Sequence, residues 1–249
     1  AADHDRFVSK GAASFALERA VTTRDFYFMM LPKMTMLAFS AAVEPLRIAN
    51  QLTGKCLYRW YLLSEDGQPV RCSNGVSILV DGELMEPKRD DTVFVCSGVD
   101  GYLAASQRTI SWVRDQARHG RTVGGLCTGA FTLARAGLLE GRRFTLHWEN
   151  QPAFEEIFPE LPISNQLYCR DGSIITCGGG NAGMNFVTSL SGAQNPRPME
   201  VQIAIGGDGG AAGNAGDVTV TQRGGITTRG DQSAGLIAQS IGGGGGNAA

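Results

Sequence analysis

Apolar and polar positions along the chain switch repeatedly between a period of two and a period near 3.6. Asp25–Leu31 is a short apolar and aromatic run stopped by Pro32, which predicts a buried strand. From Thr35 to Gln51 the spacing turns helical, with Met36, Leu37, Ala41, Val43, Leu46 and Ile48 apolar and Gly54 closing the helix. Tyr58–Ser64 predicts a second strand, and Val70–Val80 an extended stretch turned back by Ser73-Asn74-Gly75. Asp91–Cys96 is a core strand ending at Ser97-Gly98. Ser106–His119 is an amphipathic helix with Ile110, Trp112, Val113 and Ala117 facing inward and Gly120 at its C-terminal cap. Arg121–Val123 is β-prone and Phe131–Gly137 helical; Arg143–His147 predicts another strand and Gln151–Phe158 a short helix. Tyr168–Arg170 and Ser173–Cys177 form a hairpin about Asp171-Gly172, and Gly178-Gly179-Gly180 leads into a last helix, Asn181–Leu190. Strands alternating with helices predict an α/β fold, a mostly parallel sheet with helices on both faces.

The pattern stops near Leu190. Every aromatic residue and all 6 cysteines precede that point, whereas residues 191–249 hold 16 of the 34 glycines. A stretch without aromatics and so rich in glycine lacks the means to build an ordinary packed core. Three parts follow: an N-terminal extension (1–24), a folded unit (25–190) and a Gly-rich tail (191–249). Val218–Thr221 and Ile226–Thr228 are short β-prone pieces with Gly, Asn and Asp turns, as in a rung of a β-solenoid; a flexible tail is the alternative.

Charge excludes more than it proposes. The 22 basic and 24 acidic residues leave a net charge of −2, with no basic stripe to bind a phosphate backbone, so no direct DNA binding is expected. The cysteines show no CxxC pair, and His4, His119 and His147 are too scattered for a zinc set; neither metal nor cofactor is expected. Residues 1–24 lack an apolar leader core and no run approaches membrane-span length, so a cytoplasmic location with free thiols is expected.

One stretch points to chemistry. Gly124-Gly125-Leu126-Cys127-Thr128-Gly129-Ala130 sets a cysteine at a sharp strand-to-helix turn, the geometry of a nucleophile elbow. Glycines on both sides would permit positive φ and close backbone approach. The first amides and dipole of the next helix would favour thiolate and offer an anion site. A small buried cysteine in a tight turn is the plainer alternative. Ligands bind outside the carboxyl ends of strands in such sheets, where Cys127 and Gly98 both fall.

Five stretches together resemble a known family: Ala42–Asn50, Tyr58-Arg59-Trp60, Gly124–Gly129, Thr145–Asn150 and Thr176–Gly180. In this order and spacing they resemble the ligand-sensing domain of AraC-type transcription regulators within the class I glutamine-amidotransferase-like (PfpI-like) superfamily, above all regulators of carnitine, glycine-betaine and arginine catabolism. The resemblance covers about residues 20–190 and implies a flavodoxin-like sheet. Such regulators carry paired helix-turn-helix motifs, for which no counterpart is read here. The elbow is also similar to that of isonitrile hydratase. In enzymes of the superfamily the elbow cysteine is the nucleophile and an acid from the first helix contacts it, which implies Cys127 and Glu44. Protease-type members have histidine after the cysteine; Thr128 stands there instead and argues against peptidase chemistry. Separately, Gln239–Asn247 resembles passenger repeats of bacterial autotransporter adhesins, which makes a chimeric chain conceivable.

The reading that follows is a small-molecule sensor. Its ligand, a metabolite such as a quaternary amine or amino acid, would be lined by Glu44, Gly98, Cys127, Thr128, His147 and Trp148, with Trp148 offering cation–π attraction. His147 bonding only to backbone, Trp148 in the core and Glu44 on a helix surface are the plainer alternatives. Glu149 is read as a solvated charge before the next helix. The rivals are a cysteine-dependent hydratase or hydrolase using Cys127 and Glu44, and a non-functional chimeric fragment. A homodimer is a further expectation.

Overall fold

The computed structural model describes residues 6–11 and 22–180. The expected helix Asn181–Leu190, the tail and most of the N-terminal extension lie outside the described residues.

Six strands form the main sheet: β1 (Arg24–Met30), β2 (Tyr58–Leu63), β5 (Thr92–Cys96), β6 (Thr122–Leu126), β7 (Tyr168–Asp171) and β8 (Ile174–Cys177). Their order is β2-β1-β5-β6-β8-β7, parallel except for the antiparallel β7–β8 hairpin. β3 (Val70–Arg71) and β4 (Ser77–Ile78) make a separate small hairpin. The helices are α1 (Met36–Thr53), α2 (Gly101–Ala104), α3 (Gln107–Arg118), α4 (Ala130–Arg135) and α5 (Gln151–Ile157), with a 3₁₀ turn at Trp148–Asn150. The expected flavodoxin-like α/β fold is what forms.

Central parallel strands have no solvent face, so their alternation sorts side chains between two cores instead of between core and water. From β1, Phe26, Phe28 and Met30 join Ala42 and Leu46 of α1, while Tyr27 and Met29, with Leu31 just past the strand end, face the cluster that includes Ile110 and Val113 of α3. Phe28 and Phe94 stack across adjacent strands with centroids 5.4 Å apart. Burying each such side chain contributes roughly 1.5–3 kcal/mol.

The helix ends follow the sequence. Gly54 ends α1 at φ +62, its N–H donating to Gln51 O, and Ser106 caps α3 by accepting from the Thr109 amide. The C-terminal cap of α3 is His119, with Gly120 one residue later at φ +78. The four-residue α2 was not expected.

One predicted strand is corrected. Arg143–His147 is extended but joins no ladder. β8 already has β6 on one side and β7 on the other, which leaves this stretch no place beside β8. It is held by single bonds instead: Thr145 N to Thr176 Oγ1 at 2.8 Å and Ser164 N to Phe144 O at 2.9 Å.

Candidate functional site at the elbow

The described residues contain three non-glycine residues with positive φ, and all lie in loops at the carboxyl edge of the sheet: Lys33 (+59), Asp100 (+59) and Cys127 (+60). Each such conformation costs on the order of 1–3 kcal/mol, and clustering of that strain marks a candidate site. The loops are tied together. Lys33 Nζ meets Asp100 Oδ2 at 2.6 Å, Val99 N donates to Lys33 O at 3.1 Å and Thr35 N to Ser97 O at 3.2 Å.

Cys127 itself takes the left-handed conformation, so the flanking glycines do a different job from the one expected of them. Gly129 has φ −58, and a Cβ there would lie 2.5 Å from Val95 O. The elbow glycines supply close approach, and the cysteine carries the strain.

The thiol is enclosed. Cys127 is 3% exposed, and its Sγ lies 3.5 Å from Thr35 Oγ1. Gly179, at φ +88, lies over it so closely that a Cβ would be 3.1 Å from the sulfur. His147 N donates to Cys127 O at 3.1 Å, which brings the His147–Trp148 pair to the elbow. Burial pushes the Cys127 thiol up; hydrogen bonds from the Thr35 side chain and Thr128 backbone pull the other way, and the Glu149 carboxylate adds to the rise. The expectation of a helix-stabilised thiolate is thereby corrected. α4 has only six residues, and the amides of Gly129, Phe131 and Thr132 already donate to Leu126 O, Thr128 O and Gly129 O. Burial dominates the dipole.

The other expected residues are placed as follows. Glu44 does not bond to Cys127; its carboxylate pairs with Arg47 at 2.7 Å on the surface of α1. Thr128 is fully buried, donating to Gly98 O at 2.6 Å and lying 3.0 Å from Ser97 Oγ. Gly98 is buried against the β1–α1 loop, where a Cβ would fall 2.4 Å from Lys33 O. Thr128 and Gly98 therefore join loops and offer no open polar face. His147 is partly exposed, its Nδ1 3.9 Å from Glu149 Oε2 and its ring 5.7 Å from that of Trp148. Trp148 is 74% exposed, contrary to a core role.

Thr35 and Gly179 are neighbours of the thiol that sequence reasoning missed, while Glu149 is the solvated charge expected of it, 72% exposed. Thr35 stands at the start of an apolar helical run, and Gly179 sits in a glycine run that reads as a connector. Among the described residues, no group of three His, Cys, Asp or Glu could hold a metal ion, and no helix is long and apolar enough to cross a membrane.

Comparison with known proteins agrees with this geometry. Residues 41–192 match the DJ-1/PfpI family. The chain is 42% identical over 182 residues to the HTH-type transcriptional regulator CdhR of Pseudomonas aeruginosa, covering 73% of this chain and 54% of that one. It is 33% identical over 135 residues to isonitrile hydratase of Pseudomonas putida, covering 53% and 57%. The crystal structure of an AraC family transcriptional regulator from Pseudomonas putida superposes with a TM-score of 0.58 at 25% identity, covering 67% of this chain and 90% of that one. The chain thus spans about half the length of these curated relatives. An elbow cysteine on a six-stranded, mostly parallel sheet, matched over most of its length by the family's pattern, makes this chain a member of the DJ-1/PfpI family.

Proposed function

We propose that residues 25–190 are the small-molecule-sensing domain of a transcription regulator, reading a metabolite at the elbow edge and passing the signal to a DNA-binding region. The observation that carries this reading is the state of the thiol. It is buried, pushed toward the protonated form, and hydrogen-bonded to a hydroxyl instead of a base. A nucleophile needs an adjacent base or a depressed pKa; Cys127 has neither hydrogen-bonded to it among the described residues. The greater similarity to an HTH-type regulator than to the hydratase favours the same side.

The open indole of Trp148, with the Glu149 carboxylate beside it in sequence, suits a cationic ligand such as a quaternary amine or an amino acid. The test is thermal shift with glycine betaine, carnitine, arginine and an isonitrile, on the full chain and its Cys127→Ala variant. A ligand that stabilises both proteins by mass action is expected. Turnover of the isonitrile that disappears with the thiol would overturn the sensor and leave the hydratase.

A further inference from the structure

Thr35 occupies the N-cap of α1 with the extended backbone that a capping residue adopts (φ −83, ψ 109), yet its side chain makes no cap hydrogen bond. Threonine at this position ordinarily accepts from the second or third helical amide, here Leu37 or Ala38. Its hydroxyl lies instead 3.5 Å from Cys127 Sγ, 92 residues away in sequence. Among the described residues it is the only side chain hydrogen-bonded to that sulfur.

The surrounding backbone holds Thr35 in place. Its N–H donates to Ser97 O, and Met34 bridges Gly98. Gly98 has no side chain to obstruct Lys33 O and Thr35 N, which approach within 2.4 and 2.7 Å of where its Cβ would be. The other groups facing the thiol are the Thr128 amide, the Gly179 backbone, the buried thiols of Cys177 and Cys96, which keep their protons, and, at longer range, the Glu149 carboxylate.

We propose that Thr35 is the positioning residue of the elbow thiol, its hydroxyl withheld from capping α1, so that occupation of the thiol releases the hydroxyl to the helix. One hydroxyl serves two destinations. A ligand that takes the sulfur as its own hydrogen-bond partner frees Thr35 Oγ1 to rotate onto the Leu37 or Ala38 amide. Binding at the elbow thereby tightens the first turn of α1, a helix that packs on the sheet through Phe39, Ala42, Val43 and Leu46 and carries the exposed Leu37 and Ile48 on its outer side. This deepens the sensor reading and rests on it for its biological use, but the hydroxyl's choice is testable without any ligand.

The experiment compares the full-length wild type with Thr35→Val, Thr35→Ser, Cys127→Ala and the Thr35→Val/Cys127→Ala double variant. Two readouts are taken: amide hydrogen exchange at Leu37 and Ala38, and the pH midpoint of site-resolved Cys127 alkylation. Cys127→Ala should slow exchange of at least one of the two amides by roughly fivefold, the usual effect of an N-cap hydroxyl. The double variant should lose that protection. Thr35→Val should raise the alkylation midpoint and Thr35→Ser should restore it. Unchanged exchange in Cys127→Ala, or protection that persists in the double variant, would overturn the proposal. So would an alkylation midpoint indifferent to Thr35→Val. A failure of ligand binding in the thermal-shift test would instead remove the sensor reading and leave these results standing.

Discussion

A side chain's neighbours near this elbow are decided less by sequence proximity than by which loops the sheet edge brings together. Gly179 illustrates the point: its missing side chain is the space that Cys127 Sγ and Cβ occupy, and its backbone is left-handed. Gly179→Ala must therefore both crowd the thiol and strain φ. Overpacking and left-handed strain of this kind cost about 1–3 kcal/mol, so a lower melting temperature is expected by calorimetry, with Gly180→Ala as a control that has open space around its Cβ but shares the left-handed backbone. If the two variants melt alike, the close approach contributes nothing. At this scale the sequence was informative about Cys127, because glycines around a cysteine at a strand end describe an elbow without reference to the rest of the chain. It was silent about Thr35. A threonine before an apolar helical run looks like a cap, and only the position of a sulfur 92 residues away reveals that the hydroxyl goes elsewhere.

Among the elements, α1 shows how a motif that identifies a family can be structural in detail. Asn50, within the Ala42–Asn50 stretch, is fully buried, and its amide makes four hydrogen bonds: it donates to Phe7 O and Tyr58 O and accepts from Leu57 N and Tyr58 N. The group ties the end of α1 to the start of β2. Likewise Arg59 of β2 holds Asp25 of β1 in a two-pronged ion pair at 2.7 Å, with Asp25 only 5% exposed. Asn50→Leu removes all four bonds; Leu57 N keeps Lys55 O and Tyr58 O keeps the Cys56 thiol, and each backbone group that loses its partner costs about 1–3 kcal/mol. A loss of roughly 2–4 kcal/mol in a denaturant melt is expected on that basis, and a change below about 1 kcal/mol would show that water replaces the amide. Periodicity located α1 and every strand of the main sheet to within a few residues. It failed at Arg143–His147, because an extended pattern does not reveal which strand will take a given place in the sheet, and here β7 takes the one beside β8.

For the whole molecule, the unused thiols matter to stability. Burial raises Cys96 well above the ordinary thiol range and Cys177 to about 11, and it raises Tyr27 to about 12. These groups keep their protons in the folded state at a pH where the unfolded chain releases them. The Cys177 contribution is complete below the unfolded thiol value of 9.0 and is lost as pH climbs through about 11, while that of Tyr27 is complete below 10.0 and is lost as pH climbs through about 12. Stability measured in urea should therefore fall steadily across that alkaline window, and Cys177→Val should flatten the fall. A stability that stays level up to pH 11 in the wild type would contradict the buried, neutral state of these groups.

The elbow's enclosure has one more consequence. The groups that surround the sulfur come from the ends of β1, β6 and β8 and from the loop at His147, segments that are distant along the chain and adjacent only once the sheet is complete. No local fragment contains a rudimentary version of this environment. Cover over that sulfur therefore reports on several separate strand ends at once: it requires the ends of β1, β6 and β8 to have come together.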